Sequence, residues 1–178
     1  MNIVIRSYLA GSFLLESEPK TWDAIVILDS RISPTDFVDH HARRHVYLRF
    51  DDVVTETRDK QAPTPDDLQI ALEFSASSDN LMVCCRAGQS RSAATAFLIN
   101  YHRFGKDAAH NLLDPKRHVP NSLVIDCGAR FLNDPHVLTA FDDWRSEHQG
   151  IDFFDYVDDI EREIDELERQ GACNRIVK

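Results

Sequence analysis

Leu81-Met82-Val83-Cys84-Cys85-Arg86-Ala87-Gly88-Gln89-Ser90-Arg91-Ser92-Ala93-Ala94-Thr95-Ala96-Phe97-Leu98-Ile99 decides how this chain is read. Leu81 to Cys84 has the length and composition of a buried strand. A loop of small and polar residues follows, then a stretch apolar on most sides that reads as a buried helix from Ala93 to about Phe104. Strand, tight loop and helix in immediate succession aim the N–H groups of the turn into one concavity. That concavity lies at a helix N-terminus, where the dipole favours an anion. Gly88 supplies the freedom for the bend and lets an anion approach closely. Arg91 carries the fork that grips two phosphate oxygens. The same field stabilises a thiolate, and cysteines in such settings have pKa values lowered to about 3.5–7.5. One loop therefore offers an anion cradle (Arg86, Ala87, Gly88, Gln89, Ser90 and Arg91) and a nucleophile, Cys85. The expected chemistry is in-line attack of Cys85 on phosphorus, giving a thiophosphate that water hydrolyses. Ser92 is placed to hydrogen-bond the sulfur and ease its departure as thiolate.

Outward from this loop, β-branched or apolar runs alternate with helical patterns. The strand candidates are Ile3 to Ile5, Ala24 to Leu28, His45 to Phe50 and Leu81 to Cys84. Such alternation predicts an α/β fold, a central mostly parallel sheet flanked by helices. A helix is expected from Pro65 to about Ser77, with Thr64 as N-cap, Pro65 at N1, and Asp66 and Asp67 at the positive end of the dipole. At the N-terminus the first apolar stretch reads as strand rather than as an export signal. Beyond Gly105 the pattern is helical, at about 107–113, 121–132, 136–147 and 152–170.

The 178 residues suit a phosphate-handling domain over 1–150 and an acidic amphipathic helix over 151–178. Of the net charge of −10, residues 141–170 contribute −9, twelve acids against three arginines. The rest is near neutral, which argues against nucleic acid as a general partner. No apolar run is long enough to span a membrane, no export pattern is visible, and four cysteines in a chain this long do not make a disulfide framework. A cytoplasmic location is expected. In the acidic segment Phe153, Val157, Ile160, Ile164 and Leu167 make a 3.5-residue stripe, which predicts packing on the domain or, alternatively, pairing into a homodimer.

Cys85-Arg86-Ala87-Gly88-Gln89-Ser90-Arg91-Ser92 resembles the signature loop of cysteine-based protein tyrosine phosphatases, the dual-specificity group above all. Pro120-Asn121, with Lys116 and Arg117 before it, is similar to the Arg-x-x-x-Pro-Asn stretch of that group, in which the Asn helps hold the signature loop. Phe50-Asp51-Asp52 falls where the family places its general-acid loop. The resemblance covers roughly residues 20–133. It implies Cys85 as nucleophile, Arg91 as phosphate ligand, Asp52 as acid with Asp51 as the alternative, and Asn121 in support. The family usually has His before the nucleophile, as a brace. Here that supporting place is held by Cys84, so weakened rather than lost catalysis is expected. The resemblance implies a hydrolase without metal or other cofactor, acting on phosphotyrosine protein with dual specificity open, or on a small phosphomonoester. A rhodanese-like sulfurtransferase and a weakly active phosphate-binding module are the alternatives.

Two other features have plainer readings. Asp39, His40, His41 and His45 surround Arg43 and Arg44, which would repel a cation, so a solvated helix end is expected there. Cys127 falls at helical spacing with Leu123, Val124 and Phe131 and is expected in the core.

Overall fold

The computed structural model describes residues 1–32 and 40–148, with positions 158, 161–163, 165–167 and 169 beyond them. Four parallel strands make one sheet: β1 (Asn2–Ser7), β2 (Asp23–Leu28), β3 (Arg44–Arg49) and β4 (Asn80–Cys85), in the order β1-β4-β2-β3. The inner strands read DAIVIL and NLMVCC, the continuous apolar runs of strands covered on both faces. Their register sets Ile25 beside Val83 and Val26 beside Cys84.

Alternation along the strands divides the core in two. Ile25, Ile27, Leu48, Phe50, Leu81, Val83 and Cys85 face a layer built from α2 (Pro65–Ser75), α3 (Arg91–Phe104), α4 (Lys106–Leu112), α5 (Ser122–Leu132) and α6 (His136–Glu147). Ala24, Val26, Leu28, Met82 and Cys84 face the other way, onto Tyr8 and Leu15 of α1 (Tyr8–Ser17). The α2 N-terminus has the expected form: Thr64 accepts from Asp67 N–H, Asp67 answers to Thr64 N–H, and Pro65 opens the helix.

The expected strand Ile3 to Ile5 lies within β1, and helix α1 follows it where the sequence reading placed no element. The chain turns at Ser7, whose Oγ caps the helix by accepting from Ala10 N–H at 3.1 Å. Gly11 lets it lie close: a Cβ there would sit 3.1 Å from Met82 Sδ. The expected boundary near residue 150 and most of the apolar stripe, Phe153 to Ile164, lie outside the described residues. Glu163 of that segment pairs with Arg117, Oε2 to Nη2 at 2.5 Å.

The sheet positions the site. In parallel α/β sheets, the carboxyl ends of the strands gather on one edge and present their loops together. Here those ends deliver Ser7 and Tyr8 after β1, Asp29 after β2, Phe50 to Asp52 after β3, and Cys85 at the end of β4.

Candidate active site

Helix α3 begins two residues earlier than the pattern predicted, so Arg91 and Ser92 belong to its first turn. Residues 86–90 form the bend between β4 and α3. Gly88 has φ +72°, and a Cβ on it would sit 2.3 Å from Ser7 N and 2.4 Å from Arg6 C. The loop thus rests directly on the backbone at the end of β1, and only glycine fits there. On its other flank, Gln89 C=O accepts from Val119 N–H at 3.0 Å and Ser90 C=O from Asn121 N–H at 3.3 Å. Arg86 is exposed, and the Gln89 side chain is buried with both amide atoms unpartnered.

Cys85 is buried at the floor of the bend, its Sγ 3.1 Å from Ser92 Oγ. Arg91 lies beside it, 2 % exposed. Its Nη1 donates to Phe50 C=O at 2.8 Å and pairs with Asp29 Oδ1 at 2.7 Å. Burial works against the guanidinium charge, but Cys85, Asp29 and Asp52 outweigh it and hold its pKa above the ordinary value. Nε has no hydrogen-bond partner and faces Asp52 Oδ2 across 3.9 Å.

The two adjacent acids have different surroundings. Asp51 is buried and fully engaged, accepting from Ser30 N–H, Ser30 Oγ and Gln61 N–H. Burial raises its pKa, yet the Gln61 and Ser30 hydrogen bonds prevail and hold the carboxyl below the usual carboxylate range. It ties the loop after β3 to the turn after β2. Asp52 is 39 % exposed and reaches the signature loop, with Oδ1 accepting from Ser90 Oγ and Asn121 Nδ2, each at 2.8 Å. Asn121 also donates to Val53 C=O and, through Oδ1, caps α5 at Val124 N–H.

Cys84 does not join this group. It faces α1 on the opposite side of the sheet from Cys85, and burial pushes its thiol well up. Cys127 is buried in the helical layer, its thiol donating to Pro63 C=O at 3.7 Å. Arg43 and Arg44 are exposed just past a helix end, as expected, and also converge on the fully buried Asp23 at the start of β2, at 2.7 and 2.6 Å.

Two residues near the loop escaped the sequence reading. Asp29 is one; the other is Tyr8, whose hydroxyl donates to Ile27 C=O and whose charged form would interact with Arg91 and Cys85. For Asp29 a signal existed, because it directly follows the expected strand Ala24–Leu28 and so lies on the edge where such sheets place ligands.

No protein-family profile matches the sequence, and no curated protein matches it. Solved structures do match. PTPMT1 in complex with PI(5)P superposes with a TM-score of 0.53 at 10% identity, over 78% of this chain and 93% of that one. Tk-PTP in the active form matches with a TM-score of 0.44 at 12% identity, over 92% and 90%. The phosphatase domain of Yvh1 from Chaetomium thermophilum gives 0.42 at 15%, over 82% and 90%. The superposition on PTPMT1 shows a shared fold, which in this chain is an all-parallel four-stranded sheet flanked by helices. The chain has the fold of the cysteine-based protein tyrosine phosphatases.

Proposed function

We propose that this chain is a phosphomonoester hydrolase that works through a cysteinyl-phosphate at Cys85, with phosphotyrosine protein as its leading substrate. The observation that carries the reading is the convergence of Cys85, Ser92, the buried Arg91 and the accessible Asp52 on one loop at the carboxyl edge of the sheet. A phosphate in the bend meets the N–H groups of residues 86–91 and the Arg91 guanidinium. Cys85 thiolate attacks phosphorus, the S–P bond forms, and the ester P–O bond breaks. Protonated Asp52 gives its proton to the leaving oxygen. Water then attacks the thiophosphate, Asp52 carboxylate takes its proton, and the S–P bond breaks with Ser92 Oγ–H donating to the departing thiolate. Asp51 has no part in these steps, because its oxygens are committed to Ser30 and Gln61.

The test is hydrolysis of p-nitrophenyl phosphate with EDTA present, then of a phosphotyrosine peptide, a phosphothreonine peptide and a phosphoinositide. The last is included because the PTPMT1 structure holds PI(5)P. Turnover in the wild type and none in Cys85→Ser supports the reading. Equal turnover in the two ends it.

A further inference from the structure

We propose that Asp29 is a positioning residue for phosphate binding: by its ion pair with Arg91 Nη1, beside the Phe50 C=O hydrogen bond to the same nitrogen, it turns the Nε–Nη2 edge of the guanidinium toward the ligand. The inference rests on the reading of Arg91 as the phosphate ligand and adds what fixes its orientation.

A guanidinium has five N–H groups in a rigid plane, two on each Nη and one on Nε. Arg91 Nη1 is held at two points, by a hydrogen bond to Phe50 O at 2.8 Å and by an ion pair with Asp29 Oδ1 at 2.7 Å. Two contacts on one nitrogen anchor that end of the planar group. Nε is buried and without a hydrogen-bond partner, an arrangement that is costly unless a ligand fills it. It faces Asp52 across 3.9 Å, too far for a hydrogen bond, so the unsatisfied edge lies between the guanidinium and the acid. The bidentate grip needs two parallel N–H groups on one edge, and Nε with Nη2 makes such an edge.

Asp29 also carries charge. Its carboxylate offsets the Arg91 cation that would otherwise act in full on Cys85 and on a phosphate dianion. Orientation and charge therefore pull in opposite directions at this one position, and two substitutions separate them. Asp29→Asn keeps an oxygen beside Nη1 and removes the charge. Asp29→Ala removes both.

The experiment measures two quantities on the full chain. One is the dissociation constant of inorganic phosphate by calorimetry. The other is the pH dependence of Cys85 alkylation by iodoacetate, which needs no turnover. Asp29→Asn is expected to bind phosphate roughly threefold to tenfold more tightly and to be alkylated faster at pH 6, because an opposing charge has gone. Asp29→Ala is expected to bind phosphate at least about tenfold more weakly than Asp29→Asn, because the guanidinium loses one of its two anchors. A purely structural role would shift melting temperature in both variants and leave the alkylation profile in place. If the two variants bind phosphate alike, or neither moves the alkylation profile, Asp29 does not position Arg91. Should Arg91→Lys bind phosphate as the wild type does, the reading of Arg91 fails, and this proposal with it; an Asp29 failure alone leaves Arg91→Lys impaired.

Discussion

Asn121 Nδ2 donates to Asp52 Oδ1 at 2.8 Å, joining residues that are 69 positions apart in the chain. Ser90 Oγ makes a second bond to the same oxygen. The loop after β3 is thereby fastened to the bend that carries Cys85, and Asp52 is held at the open side of the anion cradle. Its neighbour Asp51 is buried and spends its oxygens on the scaffold.

That difference separates the two acids by experiment. A general acid matters most when the leaving group is poor, and its loss costs about 10²–10⁴-fold. Asp52→Asn is expected to slow tyrosyl phosphate hydrolysis by that range, hardly affect an activated aryl phosphate, and flatten the basic limb of the pH–rate profile. Asp51→Asn is expected to lower melting temperature with no dependence on leaving group. The opposite pattern in a series of aryl phosphates would move the acid to Asp51.

Ser92 Oγ, 3.1 Å from Cys85 Sγ, bears on the second half of the reaction, when sulfur must leave. A hydrogen bond to a charged group is worth about 1.5–3 kcal/mol, so its loss slows that step at least tenfold. Ser92→Ala is expected to show a burst of product equal to the enzyme concentration, followed by a slow steady rate. A linear progress curve at the wild-type rate would remove Ser92 from the mechanism.

Gly88→Ala should disable the loop. The substitution places a Cβ 2.3 Å from Ser7 N at a φ of +72°, so backbone must move against backbone. Left-handed strain and overpacking together cost roughly 2–5 kcal/mol. Chemical denaturation is expected to show that loss, along with loss of phosphate binding. Wild-type stability would mean that the loop and the end of β1 part easily.

Cys84→His is expected to damage packing and leave the thiol untuned. The side chain faces Tyr8, Leu15 and Met82 in a fully buried cluster, across from the close approach of Gly11. A larger polar ring there costs about 2–4 kcal/mol through overpacking and an unpaired N–H. The check is a denaturation curve set beside the rate of Cys85 alkylation. Faster alkylation with unchanged stability would restore the role that the family gives to the residue before the nucleophile.

Much of the site is local in sequence, and that part was legible. Cys85, Gly88, Arg91 and Ser92 lie within one strand–loop–helix, so spacing alone brings them together. The strands were legible too, because β2 and β4 are apolar throughout. Asp29 was not, since its partner Arg91 reaches it only because β2 pairs with β4 in this sheet order, a nonlocal fact with no periodic signature. Helix α1 was hidden by a run of apolar residues that suits strand or helix equally until the Ser7 cap is seen. Arg43 and Arg44 are exposed, as read, but their pairing with Asp23 was not legible because it lies about 20 residues earlier, at the start of a strand that pairs beside them.

His118 supplies a pH dependence separate from the chemistry. It is buried, and its Nδ1 accepts from Asp114 N–H at 2.8 Å, so the ring must be neutral at that nitrogen. Burial pushes its pKa down to about 4, and the Arg117 and Arg6 cations nearby add to the shift while Asp114 opposes it. In the unfolded chain a His titrates near 6.5. As pH falls below that value the unfolded state takes up the proton first, so stability is full above about 6.5 and drains away down to about 4. The loss over that interval is on the order of 3 kcal/mol. The carboxylates held low, Asp23 and Asp51, add acid sensitivity only below about pH 4, where their unfolded forms titrate. The window between 6.5 and 4.5 therefore isolates His118. His118→Asn keeps an acceptor for Asp114 N–H and cannot be protonated, so its stability in urea should stay flat across that window while the wild type declines. If both proteins lose stability with the same slope, the proton goes to another group and His118 is charged in the fold.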